Sequence, residues 1–257
     1  MQTTLIRGTA GVLDWGLTPS ADLGASERLL KAVAAKPSIG KIIRVYRPNP
    51  TVAFSGLEQR LEGFTNAVGE ARAFGFEPVI RPAGGRMVAL DEQWLVLDVI
   101  TPEPARRIMH SDVYRFYGDA FVELLASLGV QANFGPVEGE YCPGEYSVNA
   151  RESVKLVGTA QRVVRGARLF SACIPFEVSF NVAELFSRVN QQLGLEWRPS
   201  TLGSVHEEAP LLTIDQLEAK LLETFASEIT RTATLTDVFI KGARPELLAP
   251  NRELARV

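Results

Sequence analysis

Cys142 and Lys155 are the residues in this 257-residue chain whose types and placement best suit covalent chemistry. Cys142 lies in the loop Glu140-Tyr141-Cys142-Pro143-Gly144-Glu145-Tyr146, and Lys155 follows in the strand-like run Val154 to Arg162. A thiol beside an ammonium group ionises more readily, and the thiolate is the form that attacks an acyl carbon, so the pair is a candidate acyl-transfer dyad. A lone cysteine is more often a small buried hydrophobe. A lysine on a core-facing strand position loses solvation, and function often explains why it is kept; an outward-pointing lysine on an exposed strand face is the equal alternative.

Other polar features are weaker alone. Gly84-Gly85 follows Arg81 at a strand-to-strand turn; without Cβ atoms, such a pair can bring backbone N–H groups against a carbonyl or phosphate, or simply form a tight turn. Arg162, Arg165 and Arg168 surround a second turn, where they could steer an acidic protein partner or be solvated. His110, His206 and Cys173 read as two surface residues and a packing residue.

The elements that must hold these groups alternate between helix and strand without a regular βαβ repeat. Helical spacing runs from Asp22 to Val33, from Thr65 (as cap) to Phe74, and from Pro104 to Leu128 with Ile108, Phe116, Phe121, Leu124 and Leu128 inward. Strands are expected at Ile42 to Tyr46, Thr51 to Phe54 and Pro78 to Arg81. Met87 to Leu90 and Trp94 to Ile100 flank Asp91-Glu92-Gln93 as a hairpin, and Val154 to Val164 and Arg168 to Ile174 flank Arg165-Gly166-Ala167 as another. Asn181 opens a helix ending near Gly194, and Thr213-Ile214-Asp215-Gln216 fits a capping box ahead of Leu217, Leu221 and Phe225. The pattern predicts an α+β catalytic domain over residues 1–198 with a largely antiparallel mixed sheet, and a small helical C-terminal appendage, 199–257, packed on it.

Composition narrows the partners. Apolar residues make up 46% and charged residues 22%, with a net charge of −3, which gives no reason to expect nucleic-acid binding. No apolar run is long enough to span a bilayer, and the first residues lack a basic and apolar signal pattern, so a cytoplasmic protein without a membrane partner is expected. Two cysteines without a C-x-x-C pair, and two distant histidines, argue against a metal site.

Taken together, the chain from about residue 20 to 180 resembles the biotin/lipoate protein ligase and octanoyltransferase family. Pro50-Thr51-Val52 with Gly56 resembles the family's early strand, Arg81-Pro82-Ala83-Gly84-Gly85 its diglycine signature, and Lys155-Leu156-Val157-Gly158-Thr159-Ala160 its lysine signature. The Cys-Pro-Gly-x-Tyr-Ser-Val-Asn loop is most similar to the cysteine-dependent amidotransferase branch. The resemblance implies the ligase catalytic-domain fold. It also implies transfer of an octanoyl or lipoyl group from the glycine-cleavage H protein, or from acyl carrier protein, to the lysine of lipoyl domains of 2-oxoacid dehydrogenases. Cys142 and Lys155 would be catalytic, and Arg81, Gly84, Gly85, Gly158, Thr159 and Ala160 would bind substrate, with no cofactor required. Lipoate ligases that use ATP usually carry a third glycine and a His-Asp pair; here Arg86 and Leu90 stand in those places, with Asp91 retained. An ATP-dependent ligase, or a non-catalytic binder of a lipoyl-type ligand, is the alternative. Lys155→Ala is expected to lose turnover while keeping the fold.

Overall fold

The computed structural model describes residues 2–8, 19–81, 83–103, 108–226, 228–233 and 235. In chain order the elements are β1 (Thr3–Gly8), α1 (Pro19–Ala35), β2 (Lys41–Tyr46), β3 (Thr51–Ser55), α2 (Phe64–Ala73), β4 (Glu77–Arg81), β5 (Val88–Leu90), β6 (Trp94–Pro102) and α3 (His110–Ser127). They continue with β7 (Ala132–Phe134), β8 (Val148–Ala150), β9 (Val154–Val164), β10 (Ala167–Pro175), α4 (Phe180–Gln192), α5 (Val205–Glu208), α6 (Ile214–Phe225) and β11 (Arg231–Ala233). Among the described residues no helix is long and apolar enough to cross a membrane.

Eight strands form one sheet in the order β11-β1-β2-β6-β10-β9-β8-β7, and a second sheet has the order β4-β3-β5. The large sheet is antiparallel from β2 to β7 and parallel at the β11-β1-β2 edge. Strands β3 and β4 pair in parallel through α2. The architecture is the α+β class with a largely antiparallel mixed sheet.

Alternation along the strands sorts the two faces of the large sheet. Ile43, Val45, Leu97, Val99, Phe170 and Ala172 point to one face, where Phe121, Leu124 and Leu125 of α3 and Leu217, Leu221 and Phe225 of α6 cover them. Ile42, Ile100 and Leu169 point to the other, under Leu29, Leu30 and Val33 of α1. Farther along that face, Tyr46 and Val96 share a core with the small sheet, α2 and α4. The C-terminal helix α6 starts with the expected capping box, Thr213 accepting from the Gln216 N–H while Gln216 accepts from the Thr213 N–H. Residues 199–235 contribute α5, α6 and β11; the expected appendage beyond 235 lies outside the described residues.

Several local expectations are corrected by long-range packing. Met87 to Ile100 does not form a hairpin: β5 pairs with β3, while β6 crosses into the large sheet between β2 and β10. Asp91 turns the chain between the two sheets by accepting from the Gln93 N–H at 2.9 Å. Helix α2 is entered at Gly63, not capped by Thr65, and a Cβ at Gly63 would collide with the Gln192 carbonyl of α4. Helix α4 is capped by Ser179, whose Oγ accepts from Val182 N–H, so it opens at Phe180 and not at Asn181. In α3, Phe116 is 68% exposed, because it lies five residues from Phe121 and off the stripe of Tyr117, Phe121, Leu124 and Leu128. Ile108 is exposed too, and the expected start at residues 104–107 lies outside the described residues. The β9-β10 hairpin forms as expected around Arg165-Gly166, with Val164 opposite Ala167 and Gly166 at φ 94°.

Candidate active site

The loop after β4, the loop carrying Cys142 and the first half of β9 meet where the small sheet faces the large one. Lys155 is 4% exposed, and its buried position on β9 brings Nζ within 2.9 Å of the Cys142 carbonyl oxygen, to which it donates. Glu140, 1% exposed, stands 3.3 Å from the same nitrogen. The Ser147 hydroxyl lies 3.0 Å from both carboxylate oxygens of Glu140, and the Tyr141 ring lies beneath the ammonium at 4.9 Å. A buried lysine needs such a counter-charge. The outward-pointing reading of Lys155 therefore fails.

The thiol has its own setting. Cys142 Sγ accepts a hydrogen bond from the Arg86 N–H at 3.1 Å, and Arg81 Nη2 donates to the Arg86 carbonyl at 2.7 Å, so one residue links sulfur and guanidinium. Gly85, at φ 99°, makes this possible: a Cβ there would stand 2.9 Å from Cys142 Sγ and 2.8 Å from Arg81 Nη2. The positive φ and the close approach both require glycine. Gly158 has a similar role on β9, since a Cβ would lie 3.3 Å from Lys155 Cε and 3.4 Å from the Tyr141 hydroxyl. Burial, followed by the neighbouring Cys142 and Cys173, pushes the Tyr141 hydroxyl well above its ordinary range.

Cys142 opens on two hollows. An outer one of about 570 Å³ is lined by Gly84, Gly85, Tyr114, Cys142, Lys155 and Thr159, among others. An inner one of about 360 Å³ holds Arg81, Cys142, Lys155, Gly158, Thr159 and Ala160 in its walls. All eight candidate site residues read from the sequence thus converge here. Ser171 and Cys173 of β10 also line the inner hollow. Cys173 is not plain core packing: it faces the hollow, and burial pushes its thiol up to about 12. Arg168, by contrast, is turned inward, donating to Glu103 at 2.8 and 3.1 Å, and is unavailable to a protein partner.

Sequence reasoning missed Glu140 and the Arg86 N–H. A lysine in an apolar strand signals that an acid must be near, but Glu140 and Glu145 flank Cys142 in the same loop and spacing does not choose between them. The Arg86 N–H is a backbone group, and no side chain advertises it.

Known proteins supply the family. The model of the lipoyl protein ligase A/B catalytic domain matches residues 18–226. Relatives named octanoyl-[GcvH]:protein N-octanoyltransferase include one from Geobacillus kaustophilus, 31% identical over 140 residues covering 54% of this chain and 49% of the relative. Another, from Anoxybacillus flavithermus, is 29% identical over 174 residues, covering 65% and 61%. The chain aligns with about half the length of the first of these relatives. Among solved structures, lipoate-protein ligase A bound with ATP superposes with a TM-score of 0.70 at 18% identity, covering 99% of this chain and 94% of that one. The bipartite lipoate protein ligase of Thermoplasma acidophilum, solved in an archaeal lipoylation system with its E2 lipoyl domain, gives a TM-score of 0.64 at 17% identity, covering 98% and 91%. At such identities these structures speak for the fold, while the family match covers most of the sequence: the chain belongs to the lipoyl protein ligase A/B catalytic-domain family.

Proposed function

We propose that this protein is an acyltransferase of protein lipoylation that carries an octanoyl or lipoyl group on Cys142 and delivers it to the lysine of a lipoyl domain. The observation that carries the reading is the setting of Cys142. Its sulfur accepts the Arg86 N–H, lies against Arg81 across Gly85, and opens on both hollows, while Lys155 is fastened to its backbone. Such an electropositive, partly open setting belongs to reactive thiols rather than packing ones.

In the first step the Cys142 thiolate attacks the acyl carbonyl of the donor, forming the C–S bond. The carbon–nitrogen bond of a donor amide then breaks, and the amine leaves with a proton. In the second step the neutral lysine amine of the acceptor attacks the thioester carbon, the C–S bond breaks, and the thiolate is restored as the amine gives up its proton. Nζ of Lys155 has three donors. Two are committed to Cys142 and Glu140, and the third serves the oxyanion of each tetrahedral state, together with N–H groups of Gly84-Gly85 or Gly158-Thr159. The glycine-cleavage H protein fits as donor, because the relatives' names specify an octanoyl-[GcvH] donor, and lipoyl domains of 2-oxoacid dehydrogenases are the acceptors that the family resemblance implies. A reducing cytoplasm would keep both thiols free.

Incubation with an octanoylated carrier, followed by intact-mass and peptide mapping, tests this. An octanoyl adduct on Cys142 that transfers to an apo lipoyl domain without ATP or magnesium is the expected result. Strict dependence on ATP plus free lipoate or octanoate, or full activity in Cys142→Ala, would overturn it.

A further inference from the structure

The turn that follows β3 exposes a leucine and buries an acid. Leu57 is 71% exposed, whereas Glu58, at the start of the 3-10 turn Glu58–Arg60, is 3% exposed. That inverts the ordinary order of solvation, since carboxylates are rarely buried unless something pairs with them. One partner is local. Glu58 Oε2 accepts from the Ser55 N–H at 2.8 Å while Ser55 Oγ accepts from the Glu58 N–H at 3.3 Å, the reciprocal exchange of a capping box. Such a box works equally well on a surface, so it does not account for the burial.

The other oxygen reaches out of the turn. Glu58 Oε1 accepts at 2.7 Å from the N–H of Met87, 29 positions later in the chain. The strands explain the meeting: Ser55 pairs with Arg81 where β3 and β4 end together, and Ala53 of β3 pairs with Val88 of β5, so Met87 enters β5 beside the end of β3. The peptide joining Arg86 to Met87 is thereby held on both sides. Its N–H meets the Glu58 carboxylate, and its carbonyl, pointing the opposite way across a trans peptide, accepts from Arg81 Nη2 at 2.7 Å. Acid and guanidinium each lie at the favourable end of this one peptide dipole. The next N–H back along the chain is that of Arg86, the donor to Cys142 Sγ at 3.1 Å. Only the φ and ψ of Arg86 separate the clamped peptide from that donor, so fixing one orients the other.

We propose that Glu58 is a positioning residue of the thiol site: opposite Arg81 on a shared peptide, its carboxylate fixes the loop after β4 so that the Arg86 N–H meets the Cys142 sulfur. Glu58 acts through the loop and not at the sulfur. Its effect on turnover rests on the acyl-transfer reading of Cys142, whereas its effect on the thiol does not.

Iodoacetamide labelling of Cys142 across pH, read by peptide mapping on the full chain, tests this. A hydrogen bond donated to sulfur favours the thiolate, so its loss moves the labelling midpoint upward. In Glu58→Ala, which leaves the Met87 N–H without its acceptor, the midpoint should rise by about one pH unit, the tenfold effect expected of a hydrogen bond to a charged group. Glu58→Gln has the same length and still offers one carbonyl oxygen, so it should rescue the profile to within about half a unit of the parent. Arg81, Lys155 and Glu140, the charged groups around the thiol loop, are kept in every variant. Should Glu58→Ala fail to fold, Glu58→Asp keeps the charge but withdraws it by one bond of ~1.5 Å, and should raise the midpoint likewise. A downward shift in the two neutral variants would make Glu58 a distant charge, and an unchanged midpoint with only an earlier melt would make it a local cap; either overturns the proposal. With an octanoylated carrier below the midpoint, Glu58→Ala should acylate Cys142 about tenfold more slowly, in step with its thiolate fraction. An upward labelling shift without any acyl adduct in the parent would uphold the positioning role and refute the acyl-transfer reading.

Discussion

Replacing Lys155 by alanine should destabilise the protein as well as slow it, contrary to what the sequence suggests. The Lys155 and Glu140 side chains are 4% and 1% exposed and lie 3.3 Å apart. With the lysine gone, the Glu140 carboxylate keeps the Ser147 hydroxyl as a donor but has no counter-charge. Breaking a buried pair on one side typically costs about 3–5 kcal/mol. In a domain of this size each kcal/mol lowers the melting temperature by about 2–4 °C, so Lys155→Ala should melt about 6–20 °C early. That is a large part of a typical stability of about 5–15 kcal/mol, but the variant should stay folded when cold. Removing both charges, in Lys155→Met with Glu140→Gln, should recover much of the loss, because neither residue then leaves a charge stranded. Circular dichroism melts of Lys155→Met, Glu140→Gln and the double variant give the coupling directly. Transfer assays well below the melts should still show a loss of about 10²–10⁴ for both Lys155 variants, since restored stability does not restore the ammonium group. A Lys155→Ala melt indistinguishable from the parent, or additive losses in the double variant, would refute the assignment of a buried pair.

Other outcomes follow from the same geometry. Gly85→Ala should abolish transfer and slow alkylation of Cys142, because its Cβ would press on both Sγ and Arg81 while the backbone holds a positive φ; stopped-flow labelling with iodoacetamide checks this. At pH 8 the label should appear on Cys142 and leave Cys173 untouched, since burial keeps the Cys173 thiol protonated up to about 12. The same shift sets a sign for stability. In the unfolded chain Cys173 ionises near an ordinary ~8.5, so between that value and about 12 the folded protein holds a proton that the unfolded chain has lost. Stability should therefore fall through this alkaline window, and Cys173→Ala should flatten that part of a denaturant-midpoint profile against pH.

What could be read from the sequence was whatever carries its own local chemistry. The diglycine after Arg81, the cysteine in a Pro-Gly loop and the lysine in an apolar strand each break the pattern around them, and all three converge on one site. The β9-β10 hairpin was equally legible, because its turn residues and both strands are adjacent in the chain. Met87 to Ile100 has the same local appearance and behaves differently. The three residues Asp91-Glu92-Gln93 suit a hairpin turn, but β6 gains nine register partners in β10 by leaving β5, and a two-stranded hairpin offers nothing comparable. That exchange builds the site, because it separates the small sheet from the large one and leaves the hollows lined by both. The register that lines up Ala160, Ser171, Asp98 and Arg44 joins residues more than a hundred positions apart, and no spacing rule within a single strand reveals it. Glu140 was hidden for a related reason: the need for an acid is evident from Lys155, but its identity depends on how the loop folds back over β9. The candidate reacting groups are thus specified locally, whereas the charge that holds Lys155 and the hollows on which Cys142 opens depend on strands meeting at long range.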